Sequence, residues 1–520
     1  MANRYWVGGT SSWNATAGSK WSTTSGGAGG SAAPTAADDV YIDLGSGSVT
    51  VTVPASTTVV CRSLNFVDGT GGAFTGTFVM AATTSIITIG DGTAGAGNNA
   101  LKIASGMTWT NTAVGTINFI STSATQQTIT TAGKTMPSMV INGVGSSYVL
   151  GDALTQVITG VLTVFTLQAG TFDTANYTCT FLIFNTTGAA AKTLTLGSSL
   201  LNIYRNATAM DFSGTLPTIT ANTASFVFKA NATMNPAGLN MNGASLTFES
   251  VGGTVNHQNG GTWANLTVVS GIIFYLQNAG VTVTGTFTAN GAAANNRLLI
   301  ASIARGASKT ITAATVTVTN ADFMDINGAG AGDWDLSAIT GLSGDCGGNS
   351  GITFTTPVTQ TATGTSSFTW STHGWTTRVP LPQDDVVINN AFVASQTITA
   401  DMPRLGKSID FTGVTGSVAV NNSIPNSMYG SLTLATSMSS VTLFSNVITL
   451  SGRGSHTITS AGRTITNANA GLTIDAPGGT YSLSDALTVA GDIALNNGTL
   501  TTNNYAVQSG RFLNSSTARS

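Results

Sequence analysis

One unit recurs along this chain of 520 residues: "MVINGVGSSYVLGDALTQVITGVLTVFTLQAG" from Met139, "LTVVSGIIFYLQNAGVTVTGTFTANG" from Leu266 and "LTIDAPGGTYSLSDALTVAGDIALNNG" from Leu472. Each copy holds a strand, a glycine turn, a strand carrying an Asp or Asn, and a "TG" or "AG" step into another strand. Shorter echoes of its strands stand at "RSLNF" (Arg62), "PSMVI" (Pro137), "ANLTV" (Ala264), "KSIDF" (Lys407) and "GSLTL" (Gly430). Such a unit cannot bury its apolar face alone, and stacked copies bury a continuous core. Stretches such as "SVTVTV" (48–53) and "TVTVTN" (315–320) alternate polar with β-branched residues, the period of a half-buried strand. Glycine-rich turn clusters separate them, and no window carries a helical apolar stripe. The expected fold is all-β: tandem right-handed parallel β-helix (β-solenoid) modules, with an array of β-sandwich domains as the alternative.

Composition agrees. Charged residues make up 8% of the chain, against about 25% in ordinary domains, and Glu249 is the single glutamate. Thr and Val in place of Glu, Lys and Arg favour strands over helices. A hydrophobic share of 42% with so little charge argues against disorder. The net charge of -3 and the lack of any Lys/Arg cluster speak against a nucleic-acid partner. No apolar run reaches the length of a membrane span, and "MANRYWVGGTSSW" lacks the features of a signal peptide. Cys61, Cys179 and Cys346 have no metal-like spacing and read as small buried hydrophobes.

A longer duplication overlies the short repeat. "PTAADDVYI" from Pro34 answers to "PLPQDDVVI" from Pro380, and Trp13 and Trp21 to Trp370 and Trp375. Downstream, "CRSLNF" answers to "GKSIDF", "QQTITTAGKTM" (Gln126) to "SHTITSAGRTI" (Ser455), "YVLGDAL" to "YSLSDAL", and "GTFDTANY" (Gly170) to "GTLTTNNY" (Gly498). The order is kept throughout. The chain is therefore expected to hold a first module over 1–357, with a cap at 1–45 and a closing segment at 320–357. A second copy over 358–520 stops near the equivalent of residue 191, so this copy is shorter or the chain is part of a longer modular protein. A β-helix needs its first coil covered. Trp13, Trp21, Pro34, Asp38 and Asp39, and equally Trp370, Trp375, Pro380, Asp384 and Asp385, are expected to form caps, with buried Asp39 or Asp385 tying down N–H groups of the entry turn. Tyr5 and Trp6 are candidates for an attachment peptide, or complete the cap.

The aromatic cap with its "DDVYI" strand, the Gly/Thr/Ser-rich coils and "GDCGGNSGITFTTPV" (344–358) resemble the modular β-helix proteins of tailed-phage virions. The resemblance covers most of the chain. It implies a structural virion appendage (a fibre, a spike or a head-attached fibre) that is not an enzyme and contacts a host-surface glycan or receptor. The implied partners are other virion proteins, reached through the N-terminus, and further copies of the chain, as a trimer. The implied location is the virion. A tailspike-like polysaccharide depolymerase and a bacterial surface adhesin or filament subunit are the alternatives.

Catalytic chemistry has little to rest on. A glycosidase needs two carboxylates at a set separation, and here Glu249 is isolated while most aspartates lie in turns. His257, His373 and His456 show no partner pattern. Asp322, Asp325, Asp333 and Asp335, in "NADFMDINGAGAGDWDLS" (320–337), are hard oxygen ligands on glycine-rich turns and make Ca²⁺ a candidate, although no other cofactor is expected. Their spacing matches no calcium loop, and the competing expectation is a closing loop whose aspartates cap turns.

Overall fold

The computed structural model describes the chain except for residues 1, 14–17, 69–70, 82–83, 112–114, 242, 250–251, 270, 392–395, 423, 439–442, 467–470 and 515–520. Half of it is strand and 2% is helix, coiled as a parallel β-solenoid of about 19 turns in all. The turns fall into two compact units, Met1–Thr267 with Val281–Gly285, and Val268–Gly280 with Thr286–Ser520. The repeat boundary at 357/358 thus lies inside the second unit. No sandwich forms. Among the described residues, antiparallel strand pairs are confined to Asn3–Trp6 with Trp21–Ser22 and to Val67–Asp68 with Gly72–Ala73.

In the first unit, parallel register stacks like on like. Val59, Ile87, Ile117, Met139, Phe165, Phe184, Met210, Met234 and His257 are successive Cα partners down one column. All are buried. The period-2 alternation read from the sequence makes such a column, because every second side chain of each strand points inward at the same height. Most of the column is aliphatic or aromatic, and His257 alone brings a titratable ring into it.

Corners between strands bring neighbouring backbones close. Gly170 has φ +82°, and a Cβ there would stand 2.4 Å from Ser146 Oγ and 2.5 Å from the Gly143 carbonyl. Its counterpart Gly498 has φ +92°, and a Cβ would stand 2.5 Å from the Ala476 carbonyl. Both positions require glycine on two counts, left-handed backbone and lack of room.

The second unit has its own apolar core, running from Ala362 and Trp370 through Ile409, Leu432 and Ile458 to Leu495. Within this unit the chain doubles back. Gln383 Oε1 accepts from the Asp345 N–H at 2.9 Å, Arg404 and Arg453 pair with Asp322 and Asp325, and Arg305 lies 3.5 Å from Asp475. Asp345 meets Gln383, Asp322 and Asp325 meet Arg404 and Arg453, and Arg305 meets Asp475, so the two stretches lie side by side and, coil by coil, run in opposite senses. Tandem copies would be expected to continue end to end. Here, instead, charged side chains hold the closing segment of the first copy against the flank of the second.

Candidate functional site

The duplicated corner positions its aspartates identically in backbone terms. Asp38 accepts the Thr35 N–H at 3.0 Å and Asp384 accepts the Leu381 N–H at 2.9 Å, three residues back in each case. Val40 pairs with Leu64, and Val386 with Ile409, in the same register. Pro34 is half-buried and Pro380 buried, each opening the turn. Trp13 and Trp370 sit at equivalent places, donating their backbone N–H groups to Thr52 and Thr399 at 2.8 Å. The indoles pack edge-on: Trp6 and Trp13 against Trp21, with centroids 5.1 and 5.4 Å away, and Trp370 tilted on Trp375 at 4.9 Å.

Tyr5 and Trp6 belong to this corner. Trp6 is fully buried and its indole N–H donates to the Gly9 carbonyl at 3.1 Å, while Tyr5 stacks on Tyr41 at 4.8 Å. Their rings face other residues of the cap, which leaves little of them for an attachment contact. Burial raises the Tyr41 hydroxyl to about 12. Beside it, Asn65, Asp68, Asn99 and Lys102 border a polar recess of about 160 Å³.

The four aspartates considered for calcium do not converge. Among the described residues no group of three or more His, Cys, Asp or Glu side chains is placed to hold a metal ion. Asp322 is fully buried between Arg297 (2.7 Å) and Arg404. Burial pushes its carboxyl up, and the two guanidiniums outweigh burial and hold it below the usual range. Asp325 takes both oxygens to Arg453 at 2.8 Å and also accepts the Gly306 N–H at 3.0 Å. Asp333 and Asp335 accept N–H groups two residues ahead, from Asp335 and Ser337. These are the bonds of struts and turn caps.

A cleft of about 250 Å³ opens where the closing segment meets the second copy. Asp345, Cys346, Gly347 and Pro357 line one wall; Pro382, Gln383, Lys407, Tyr429, Arg453 and His456 line the other. Successive coils deliver these side chains, since Lys407 and Tyr429 lie just before the strands Ile409–Asp410 and Leu432–Thr433, and His456 lies in Gly454–Thr459. The His456 ring stands 2.9 Å from the Arg453 carbonyl, so Nε2 carries the proton and Nδ1 is the acceptor. Burial, with Lys407 adding to it, lowers the imidazole below its ordinary value. Burial pushes the Cys346 thiol up to about 12, which makes it a packed sulfur and not a nucleophile. Cys61 and Cys179 are buried likewise.

Neither composition nor motif singles out this cleft. The copy-to-copy alignment contains its signal. Lys407 stands where the first copy has Arg62, His456 where it has Gln127, and Arg453 in a stretch whose counterpart (121–125) is uncharged. Comparison of the chain with protein-family models, curated proteins and solved structures finds no match.

Proposed function

We propose that the chain is a structural, non-enzymatic appendage of a tailed-phage virion, a stiff β-solenoid that meets a host-surface glycan. One observation carries the reading: the carboxylates serve as struts. Asp152 accepts the N–H groups of Thr131 (2.8 Å) and Ala132, and Asp485 those of Ser460 (2.7 Å) and Ala461 (2.6 Å). Asp91 caps Thr93, Asp39 holds Arg62, and Glu249 pairs with Lys229 on the adjacent coil. A glycan-cleaving solenoid keeps paired carboxylates for the substrate; here acids close corners and tie coils together. Continuous parallel ladders with capped corners give rigidity without charge-rich loops. The resemblance of the aromatic cap to virion modules supplies the setting, and an outward-projecting appendage anchored by its N-terminus follows from it.

Cryo-electron microscopy of particles carrying the chain tests the reading. Coils projecting from a capsid or tail with residues 2–9 at the base are the expected result. Chains stacked into a particle-free filament would replace it with the filament-subunit alternative. New reducing ends on a host polysaccharide incubated with the purified chain would replace it with the depolymerase.

A further inference from the structure

The cleft of the second unit holds a cation, Lys407, that ties down no carboxylate among the described residues. In the first copy Arg62 is buried and engages Asp39 through Nε at 3.0 Å and through Nη2. Its counterpart Lys407 is exposed, forms no ion pair among the described residues, and lines the cleft. Asp385, left without that cation, keeps the backbone N–H of Ser408 at 3.3 Å. The remaining polar walls are fixed from behind. Arg453 is clamped by Asp325 and by the Pro477 carbonyl at 3.1 Å, while its Nε is buried with no hydrogen-bond partner. Gln383 is held by the Asp345 N–H and by the Ser343 and Thr355 carbonyls at 3.0 and 2.9 Å. Asp345 is held through Oδ1 by the Gly347 N–H (2.8 Å) and Asn349 (2.7 Å). Walls held in this way bind without reorganising.

The balance of charge defines the ligand. Arg453 is compensated by Asp325, which leaves the Lys407 ammonium and the Asp345 carboxylate facing one cleft. Lys407 favours an anion, and Asp345 disfavours a second negative charge while accepting hydroxyl hydrogens. Pro357, Pro382 and the Tyr429 ring provide apolar surface. At about 250 Å³ the space is smaller than a drug-sized site. One carboxylate, several hydroxyls and a small C–H face describe a single acidic sugar ring. We propose that this cleft binds the carboxylate-bearing sugar of an acidic glycan, with Lys407 on the carboxylate and Asp345 on ring hydroxyls.

The inference rests on the attachment reading and names its ligand class. The test is saturation-transfer NMR of the full chain with D-glucuronate, D-glucose and inorganic phosphate, repeated on Lys407→Met and Lys407→Arg. Glucuronate should bind saturably, with glucose weaker by about tenfold and Lys407→Met weaker by about tenfold, as loss of one charged hydrogen-bond partner entails. Lys407→Arg should stay within about threefold, because the charge remains. Lys407 is exposed, so both variants keep the fold, and an unchanged melting curve checks it. Equal binding of glucose and glucuronate, indifference to Lys407→Met, tighter binding of phosphate, or no binding at all would each overturn the assignment. Failure here with the chain still found on particles removes the ligand class alone. Glucuronate binding by a chain absent from particles keeps the site and removes the virion setting.

Discussion

In the first copy of the Asp-Asp-Val corner the guanidinium belongs to the second aspartate: Arg62, from the next coil, engages Asp39, whose Oδ1 also accepts from Ser63 Oγ at 2.6 Å. Asp38 accepts the N–H groups of Ala2 and Thr35, both at 3.0 Å, with Arg4 at 3.8 Å. In the second copy the assignment is reversed. Arg378, six residues earlier in the chain, engages Asp384 at 2.9 and 2.6 Å, while Asp385 keeps one backbone contact. The backbone turn and strand register are the same in both. The corner therefore requires one buried carboxylate neutralised by an arginine but does not fix which. Because Arg378 supplies that charge from the cap, the position of Arg62 was free to become Lys407 and face the cleft.

The largest effects should follow this reversal. Asp39→Ala takes the carboxylate from buried Arg62 and should lose about 3 kcal/mol, the scale for breaking a buried pair. Asp384→Ala takes a fully buried carboxylate from half-buried Arg378 and should lose about 2 kcal/mol, because solvent reaches the guanidinium. Asp385→Ala should cost under about 1 kcal/mol, as one partly exposed hydrogen bond does. Urea unfolding of the four single variants, Asp38→Ala included, gives the ranking. Equal losses at Asp384 and Asp385 would show that the reversal carries no energetic weight.

Much of this fold is legible in sequence because its cause is local. The period-2 strands, the glycines at corners such as Gly170 and Gly498, and the order of the duplicated motifs each follow from what a single coil needs. The corner bond is legible in kind but not in place: the motif points to Asp39 or Asp385, whereas Asp38 and Asp384 accept the N–H groups three residues away, and Asp39 and Asp385 face the next coil at Arg62 and Ser408. The arginine pairings were not legible. Asp322 meets Arg297 and Arg404 across 25 and 82 residues, and Asp325 meets Arg453 across 128. Read without those arginines, a dense run of aspartates suggests a cation site; with them, it is the anionic half of a set of staples. The cleft was hidden because the chain's doubling back depends on these same distant pairs.

pH separates the units next. His257 lies in the apolar column of the first unit and accepts the Trp263 indole N–H at its Nε2, 3.2 Å away. Burial lowers it from 6.5 to about 4. The unfolded chain then binds a proton between those values that the folded chain refuses. The stability due to neutral His257 is whole above pH 6.5, declines as pH falls toward 4, and levels off below, about 3 kcal/mol in all. In the second unit His373 and His456 are lowered less and are partly exposed. Hydrogen exchange at pH 4.5 and 7.5 should show the coils around 234–263 loosening in acid more than those around 432–483. His257→Met, matching Met210 and Met234 above it, should remove that difference; persistence of the difference would assign it to another group.

A paired tyrosine tests where the copies should agree. Tyr148 accepts the Ser121 N–H at 3.0 Å and Tyr481 accepts the Gly452 N–H at 2.9 Å, both rings fully buried. Tyr→Phe at either site leaves a buried N–H without its acceptor, a loss of about 1–2 kcal/mol. The two losses should match closely. A mismatch, measured by denaturant titration of Tyr148→Phe and Tyr481→Phe, would mean that the surroundings of one copy relax to satisfy the N–H and those of the other do not.

The smallest effect concerns strain that both copies preserve. Ala132 and Ala461 sit at φ +50° and +49°, a left-handed conformation that costs an alanine but not a glycine. Each is followed by a glycine also at positive φ, Gly133 and Gly462, so the corner turns through two left-handed residues in succession. The alanine N–H donates to Asp152 in one copy and to Asp485 in the other, and the carboxylate also takes the preceding N–H. Two charge-assisted hydrogen bonds outweigh the strain of one alanine. Ala132→Gly and Ala461→Gly relieve that strain but free the unfolded chain, so each should raise stability by less than about 1 kcal/mol. In the background of Asp152→Asn or Asp485→Asn the carboxylate's grip is weakened, and the same glycine should gain more than in the parent. A double-mutant cycle in each copy reads this coupling directly. Zero coupling in both would mean that the aspartate does not hold the alanine in place, and that the glycine after it sets the turn.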